Sequence, residues 1–161
     1  MCGQWVYWGG SSEGCASGGG GVWGKITPPP PPTIRKNLTT NHLPLENHHL
    51  IQSDLFTNIT KRYDFILTNP PYIDPILDRT ETAVKSHEPH LALYGGQSGL
   101  ELINLIIAEA PIHLLPHGQL WLEHEPEQSA AIQTLGSQHG FLVTTHSDQY
   151  NVERYSILVL Q

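Results

Sequence analysis

Residues 63–73 read YDFILTNPPYI, and the reading of this stretch decides the fold. Phe65, Ile66, Leu67 and Thr68 form a strand-prone run introduced by Asp64. Pro70 and Pro71 stop it, because proline donates nothing to a sheet ladder and locks φ. The pattern predicts a buried strand from Phe65 to Thr68 with Asn69-Pro70-Pro71-Tyr72 at its carboxyl end. In open α/β sheets, ligands sit beyond the carboxyl ends of the strands.

The residue types at that end suit one kind of chemistry. Two prolines remove two backbone donors, so their carbonyls can face a ligand without a competing N–H. Asn69 brings an acceptor and a donor, and Tyr72 a flat face. Together they can cradle a planar –NH2 group, with two acceptors for its hydrogens and a ring against its plane. An amide nitrogen is a weak nucleophile. Hydrogen bonds to the Asn69 side-chain oxygen and the Pro70 carbonyl would aim its lone pair and stabilise the positive charge developing on it. Methyl transfer to nitrogen fits that arrangement, and no strong base is needed beforehand.

Outward from this strand the chain alternates. HHLIQSDLF predicts a short strand from Leu50 to Asp54, and TIRKNLTTN the end of a helix. SGLELINLIIAEAPIHLL predicts a helix with Ser98 as N-cap, Glu101 in its first turn, and Leu102, Leu105 and Ile106 as core. A Pro116–Gly118 turn leads into a strand GQLWLEHE, and EQSAAIQTLGSQHG is a second helix ended by Gly140. FLVTTHSD and ERYSILVL read as two closing strands paired as an edge hairpin. The expectation is a mostly parallel α/β sheet.

Composition sharpens this. Of 161 residues, 39% are hydrophobic, enough for a core, and 14% are charged, too few for a coiled coil. The net charge of −7 argues against holding duplex nucleic acid by charge alone. No apolar run reaches the ~20 residues of a membrane span. The start, MCGQWVYWGG, lacks the basic and apolar regions of a secretory signal, and no Arg precedes Arg35 as a transit peptide would require. The acceptor patterns at Asn37 and Asn58 read as incidental. Residues 1–32 hold a Gly/Ser-rich stretch, both cysteines (Cys2 and Cys15) and Pro28 to Pro32, and read as a head without packed structure. Residues 33–161 read as globular.

The combination of NPPYI with His87-Glu88-Pro89, LAL, Gly95-Gly96, Gly99-Leu100 and the later GQLWLEHEPEQ resembles the HemK family over residues 33–161. These are S-adenosylmethionine-dependent methyltransferases that modify the side-chain amide nitrogen of a glutamine in peptide chain release factors. The resemblance implies a Rossmann-like methyltransferase fold and S-adenosylmethionine as cofactor. It implies a release factor's GGQ loop as partner. Asn69, Pro70, Pro71 and Tyr72 would hold the glutamine, with Asn69 also near the cofactor's methionine part. Asp54 and Leu55 would lie against the adenine. Glu88-Pro89 and the Gly95–Gly99 loop would shape the wall. The ending DQYNVERYSILVL resembles the mitochondrial branch; the alternative compartment is the cytoplasm.

The chain also departs from that family. The family's glycine-rich cofactor loop follows a first strand with an acid before it, and a second strand ends in an acid for the ribose hydroxyls. Here Trp5–Gly10 and Gly14-Cys15-Ala16 have the cadence of the loop without the acid. Lys25-Ile26-Thr27 and the proline run stand where the second strand belongs. The family's N-terminal helical domain has no counterpart. The fold is therefore expected to be incomplete at its N-terminal side, its central strands uncovered and its methyl transfer weak or undetectable. Two other functions compete: an amino-methyltransferase on adenine in DNA or RNA, which shares NPPY and would flip the base, and an inactive methyltransferase fragment. Gly19–Gly24 mimics a phosphate loop, but Ile26 stands where Ser or Thr is needed, and no metal site is expected from His124-Glu125 or the other histidines. Glu123, Glu125 and Glu127 read as a strand end and a solvated turn.

Overall fold

A computed structural model describes residues 6–10, 20–24, 35–36, 39–42, 48–51, 53–74 and 97–161. Seven strands make one sheet: β1 (Val6–Gly10), β2 (Gly20–Gly24), β3 (His48–Leu50), β4 (Tyr63–Thr68), β5 (Leu114–Glu123), β6 (Phe141–Ser147) and β7 (Glu153–Leu160). Two α-helices follow the pattern read from sequence, α1 (Glu101–His113) and α2 (Ser129–Gln138). The strand order is β3-β2-β1-β4-β5-β7-β6. Its first five places are the 3-2-1-4-5 order of a doubly wound sheet, and β7 inserts antiparallel between β5 and β6.

The sheet is less parallel than expected. Only β2–β3 and β4–β5 pair parallel among the described strands; β1 is antiparallel to both its neighbours. The reason lies in residues 1–32, read as unstructured. VYWGG and GGVWG form an antiparallel hairpin there, with Val6 opposite Gly24 and Gly10 opposite Gly20. Val, Tyr and Trp favour strands, and β4 would otherwise present an open row of backbone groups. The hairpin fills that edge, with Val6 opposite Thr68 and Gly9 opposite Phe65, so the centre of the sheet is paired rather than uncovered. The rest of the head, including Cys2, Cys15 and the prolines, lies outside the described residues.

β4 was read as buried, but its pattern alternates. Ile66 and Thr68 face the core, whereas Phe65 is 42% and Leu67 37% exposed. Both helices pack on the Ile66 side, where Leu120, Leu122 and Leu158 complete the core with Ile132 of α2. On α1 the buried stripe is Ile103, Ile106, Ile107 and Ala110, the i, i+3, i+4, i+7 spacing of one helix face. The expected stripe was one residue out of phase: Leu105 is 47% exposed and Leu102 only half-buried, while Ile106 belongs to both. The run is apolar at so many positions that periodicity alone leaves the phase open.

Smaller corrections follow from backbone geometry. Ser98 does not cap α1. It lies in a 3-10 turn, Gln97–Gly99, with φ 55°, and Leu100 occupies the N-cap without a side-chain bond. The Pro116–Gly118 segment does not end a turn before the strand. It is a bulge within β5, so that Tyr63 pairs with Leu114 but Phe65 with Gln119. β3 ends at Leu50 rather than Asp54; residues 54–58 form a turn in which Asp54 accepts from the Thr57 amide at 3.0 Å and the Thr57 hydroxyl at 2.7 Å. Gly140, at φ 81°, closes α2 as expected. Among the described residues no helix is long and apolar enough to cross a membrane.

Candidate active site

The carboxyl ends of β2, β3 and β4 share one edge of the sheet, because β2 is related to β4 by two antiparallel steps through β1. Asn69 and the two prolines leave β4 at that edge. Asn69 is exposed; Pro70 and Pro71 are buried. An open cleft of about 290 Å³ lies beside them, lined by Leu67, Thr68, Asn69, Trp121, Leu122, Glu123 and Tyr155. Its floor is the sheet face opposite the helices. Trp121 stacks on Tyr155 at 6.0 Å between ring centres, and Tyr155 on His146 at 5.1 Å, a ladder of aromatic rings across β5, β7 and β6.

Tyr72 does not line this cleft. Its half-buried ring packs against the core, and its hydroxyl donates to Glu123 Oε1 at 2.9 Å. Burial first, and the Glu123 carboxylate second, push the phenol well above its ordinary value of 10.0. Glu123, read from sequence with Glu125 and Glu127 as a strand end and a solvated turn, does end β5, and it is also the carboxylate that fixes Tyr72 and faces the cleft with Asn69.

The backbone of Tyr72 is held as well. Gln128, 5% exposed, donates from Nε2 to the Tyr72 carbonyl at 2.8 Å and to the Ser98 carbonyl at 3.1 Å. Its Oε1 accepts the Glu125 amide at 3.0 Å, the reciprocal contact of a capping box at the 3-10 turn Pro126–Gln128 that leads into α2. Gly99, at φ 66°, closes the other side: a methyl group there would overlap the Tyr72 carbonyl oxygen and crowd the Gln128 amide. Gly99 thus packs against the Tyr72 backbone and does not line the cleft. Gln128 was quoted in the motif without a role; the E-x-x-Q spacing of Glu125 and Gln128 was the available signal.

The carboxyl end of β5 is locked from the other face. His124, fully buried, places Nδ1 2.8 Å from the Glu125 carbonyl and Nε2 2.8 Å from the Ser156 hydroxyl. A carbonyl only accepts, so Nδ1 carries the proton and Ser156 donates to Nε2. Ser156 oxygen in turn lies 3.0 Å from the Thr145 hydroxyl. Burial holds the His124 imidazole below its ordinary value of 6.5 despite Glu153, Glu125 and Glu123 nearby. Arg154 pairs with Glu125 at 2.8 Å and finishes the frame.

Of the residues expected at the cofactor, Asp54 is exposed and Leu55, with φ 46°, half-buried against the core. Both follow β3 at the same edge as Asn69. β1 ends toward the opposite edge, since Gly9 lies opposite Phe65 near the start of β4; Gly14, Cys15 and Ala16 lie outside the described residues. Gly20–Gly24 is a strand and not a phosphate loop. His87, Glu88, Pro89, Gly95 and Gly96 lie outside the described residues. No group of three or more His, Cys, Asp or Glu side chains able to hold a metal occurs among the described residues.

No family model matches the chain. The release factor glutamine methyltransferase of Francisella tularensis is 38% identical over 108 residues, covering 66% of this chain and 37% of that protein. The ribosomal protein uL3 glutamine methyltransferase of Xanthomonas campestris is 40% identical over 96 residues, covering 58% of this chain and 30% of that protein. The chain therefore spans well under half the length of these curated relatives. A methyltransferase crystal structure from Pyrococcus furiosus shares the fold, with TM-score 0.56 at 22% identity over 78% of this chain and 54% of its own. Over roughly two thirds of its length the chain is similar to the C-terminal part of the release factor glutamine methyltransferases, the HemK family, on a sheet that shares the methyltransferase fold.

Proposed function

We propose that the chain transfers a methyl group from S-adenosylmethionine to the side-chain amide nitrogen of a glutamine in a peptide chain release factor, the GGQ-loop glutamine. The observation that carries this reading is the Asn69–Tyr72 turn beyond β4, anchored at both the carbonyl and the hydroxyl of Tyr72 beside an open cleft. Asn69, with the Pro70 carbonyl, receives the –NH2 hydrogens and turns the nitrogen lone pair outward. Pro71 and Tyr72 hold those groups in place. The names of the bacterial relatives support the acceptor class.

The cofactor fits one side of the edge. Asp54 and Leu55 after β3, and Asn69 after β4, stand where an adenosine and a methionine part would lie. β1 itself runs antiparallel to β4, so its carboxyl end lies toward the other edge of the sheet. The cofactor supplies the methyl group; everything else asked of this chain is orientation of the acceptor. The acidic charge and the resemblance beyond NPPY support glutamine over adenine in a nucleic acid, and binding to duplex is not part of the proposal. A mitochondrial address rests on the resemblance of the DQYNVERYSILVL ending, with the cytoplasm as the alternative.

The test offers labelled S-adenosylmethionine and three acceptors to the purified chain: a release factor, ribosomal protein uL3 and an adenine-containing oligonucleotide. Label on a release-factor glutamine supports the reading. Label on uL3 moves the acceptor within the same chemistry, label on adenine replaces it, and no cofactor binding leaves an inactive fragment.

A further inference from the structure

We infer that Gln128 is the positioning residue of the acceptor site: its side-chain amide, inserted between the two loops, sets where Asn69 stands. This inference rests on the glutamine-methyltransferase reading for its kinetic part and on geometry for the rest. Gln128 is almost wholly buried, and its three hydrogen bonds use Oε1 once and both Nε2 hydrogens. One of them ends on the Tyr72 carbonyl, three residues beyond Asn69. Another ends on the Ser98 carbonyl, beside the Gly99 turn that presses on the same Tyr72 oxygen. The third joins the start of the α2 region. A single planar amide thus ties the loop after β4, the turn before α1 and the end of β5.

The lever is short. From Tyr72 back to Asn69 run two prolines with fixed φ, so a displaced Tyr72 carbonyl moves Asn69 with little slack to absorb it. Tyr72 is also fastened through its hydroxyl to Glu123, but that bond lies at the end of a side chain and fixes the ring more than the backbone. Gln128 therefore holds the main chain at Tyr72 directly, one residue before the β-bridge at Ile73, and the acceptor geometry follows from it.

Two substitutions separate this role from mere capping. Gln128→Glu keeps the acceptor for the Glu125 amide, since a capping box takes Glu as well as Gln. It replaces the two donors with a carboxylate facing the Tyr72 and Ser98 carbonyls. Gln128→Ala removes all three bonds. If Gln128 only caps, Gln128→Glu behaves as wild type and Gln128→Ala does not. If it positions the acceptor site, both lose rate, Gln128→Glu at least as much. A misplacement of order 1 Å costs about 10²-fold, and we expect that loss in the single-turnover rate of methyl transfer to a release factor. The calorimetric Kd for S-adenosylmethionine should stay within about twofold.

A second readout does not need activity. The side-chain amide signal of Asn69 in nitrogen–proton NMR spectra of the 161-residue chain should shift in both variants. An inert wild type refutes the function proposed above, and this signal then decides the positioning role by itself. Should Gln128→Ala not fold, Gln128→Glu carries the test. A wild-type rate in Gln128→Glu, or an unmoved Asn69 signal in that variant, overturns the inference.

Discussion

Replacing Tyr72 by Phe deletes one oxygen and strands one carboxylate. The hydroxyl donates to Glu123 Oε1 at 2.9 Å, with both residues half-buried. A hydrogen bond to a charged group contributes about 1.5–3 kcal/mol, and the opening to the cleft lowers this to about 1–2 kcal/mol through solvent screening. For a chain of this size that is a fall in Tm of about 2–8 °C. Glu123→Gln keeps an oxygen acceptor and costs less. The double-mutant cycle of the two substitutions, read from urea midpoints at constant slope, should give a coupling of about 1 kcal/mol. The pH profile gives an independent sign. Burial and Glu123 raise the phenol above 10.0, so this contribution is whole below pH 10 and is lost as pH rises through the raised value. Tyr72→Phe should flatten that alkaline limb. A coupling under about 0.3 kcal/mol, with the alkaline limb unchanged, would refute the claim that Glu123 anchors Tyr72.

Asn69→Ala should lower the methyl-transfer rate by about 10²–10³ with little change in cofactor affinity, measured by single turnover and calorimetry. Ile106→Ala should destabilise by about 2–5 kcal/mol, and Leu105→Ala by less than about 1 kcal/mol, in urea denaturation; reversed ranks would return α1 to its expected phase. Burial holds His124 below 6.5, so its contribution is whole above that value and falls as pH drops below it. The urea midpoint should therefore decline below about pH 6.5, and His124→Gln should flatten the decline.

The strand through Ile66 and Thr68, helix α2 and the β6–β7 hairpin were legible because their patterns are short and bounded by proline, glycine or charge. The phase of α1 was not, because Leu102, Ile103, Leu105, Ile106 and Ile107 offer two overlapping stripes and only the packed sheet chooses between them. Val6–Gly10 and Gly20–Gly24 were hidden by their glycines. Their pairing depends on a free edge at β4, which no local propensity reveals. NPPY was visible as a motif, yet its supports were not. Gln128 reaches Tyr72 across 56 positions and Glu123 reaches it across 51, and such tertiary bonds leave no periodic trace. Asp54 was read as the last residue of a strand, but the strand ends earlier, at Leu50, and Asp54 falls in the turn that follows.

The most direct test is single-turnover transfer from labelled S-adenosylmethionine, with the 161-residue chain in excess over a release factor and the product mapped by mass spectrometry. The account predicts saturable methylation confined to the side-chain nitrogen of the GGQ glutamine and slowed about 10²–10³-fold by Asn69→Ala. An unchanged rate in Asn69→Ala, label that appears instead on adenine, or no label at saturating cofactor contradicts it.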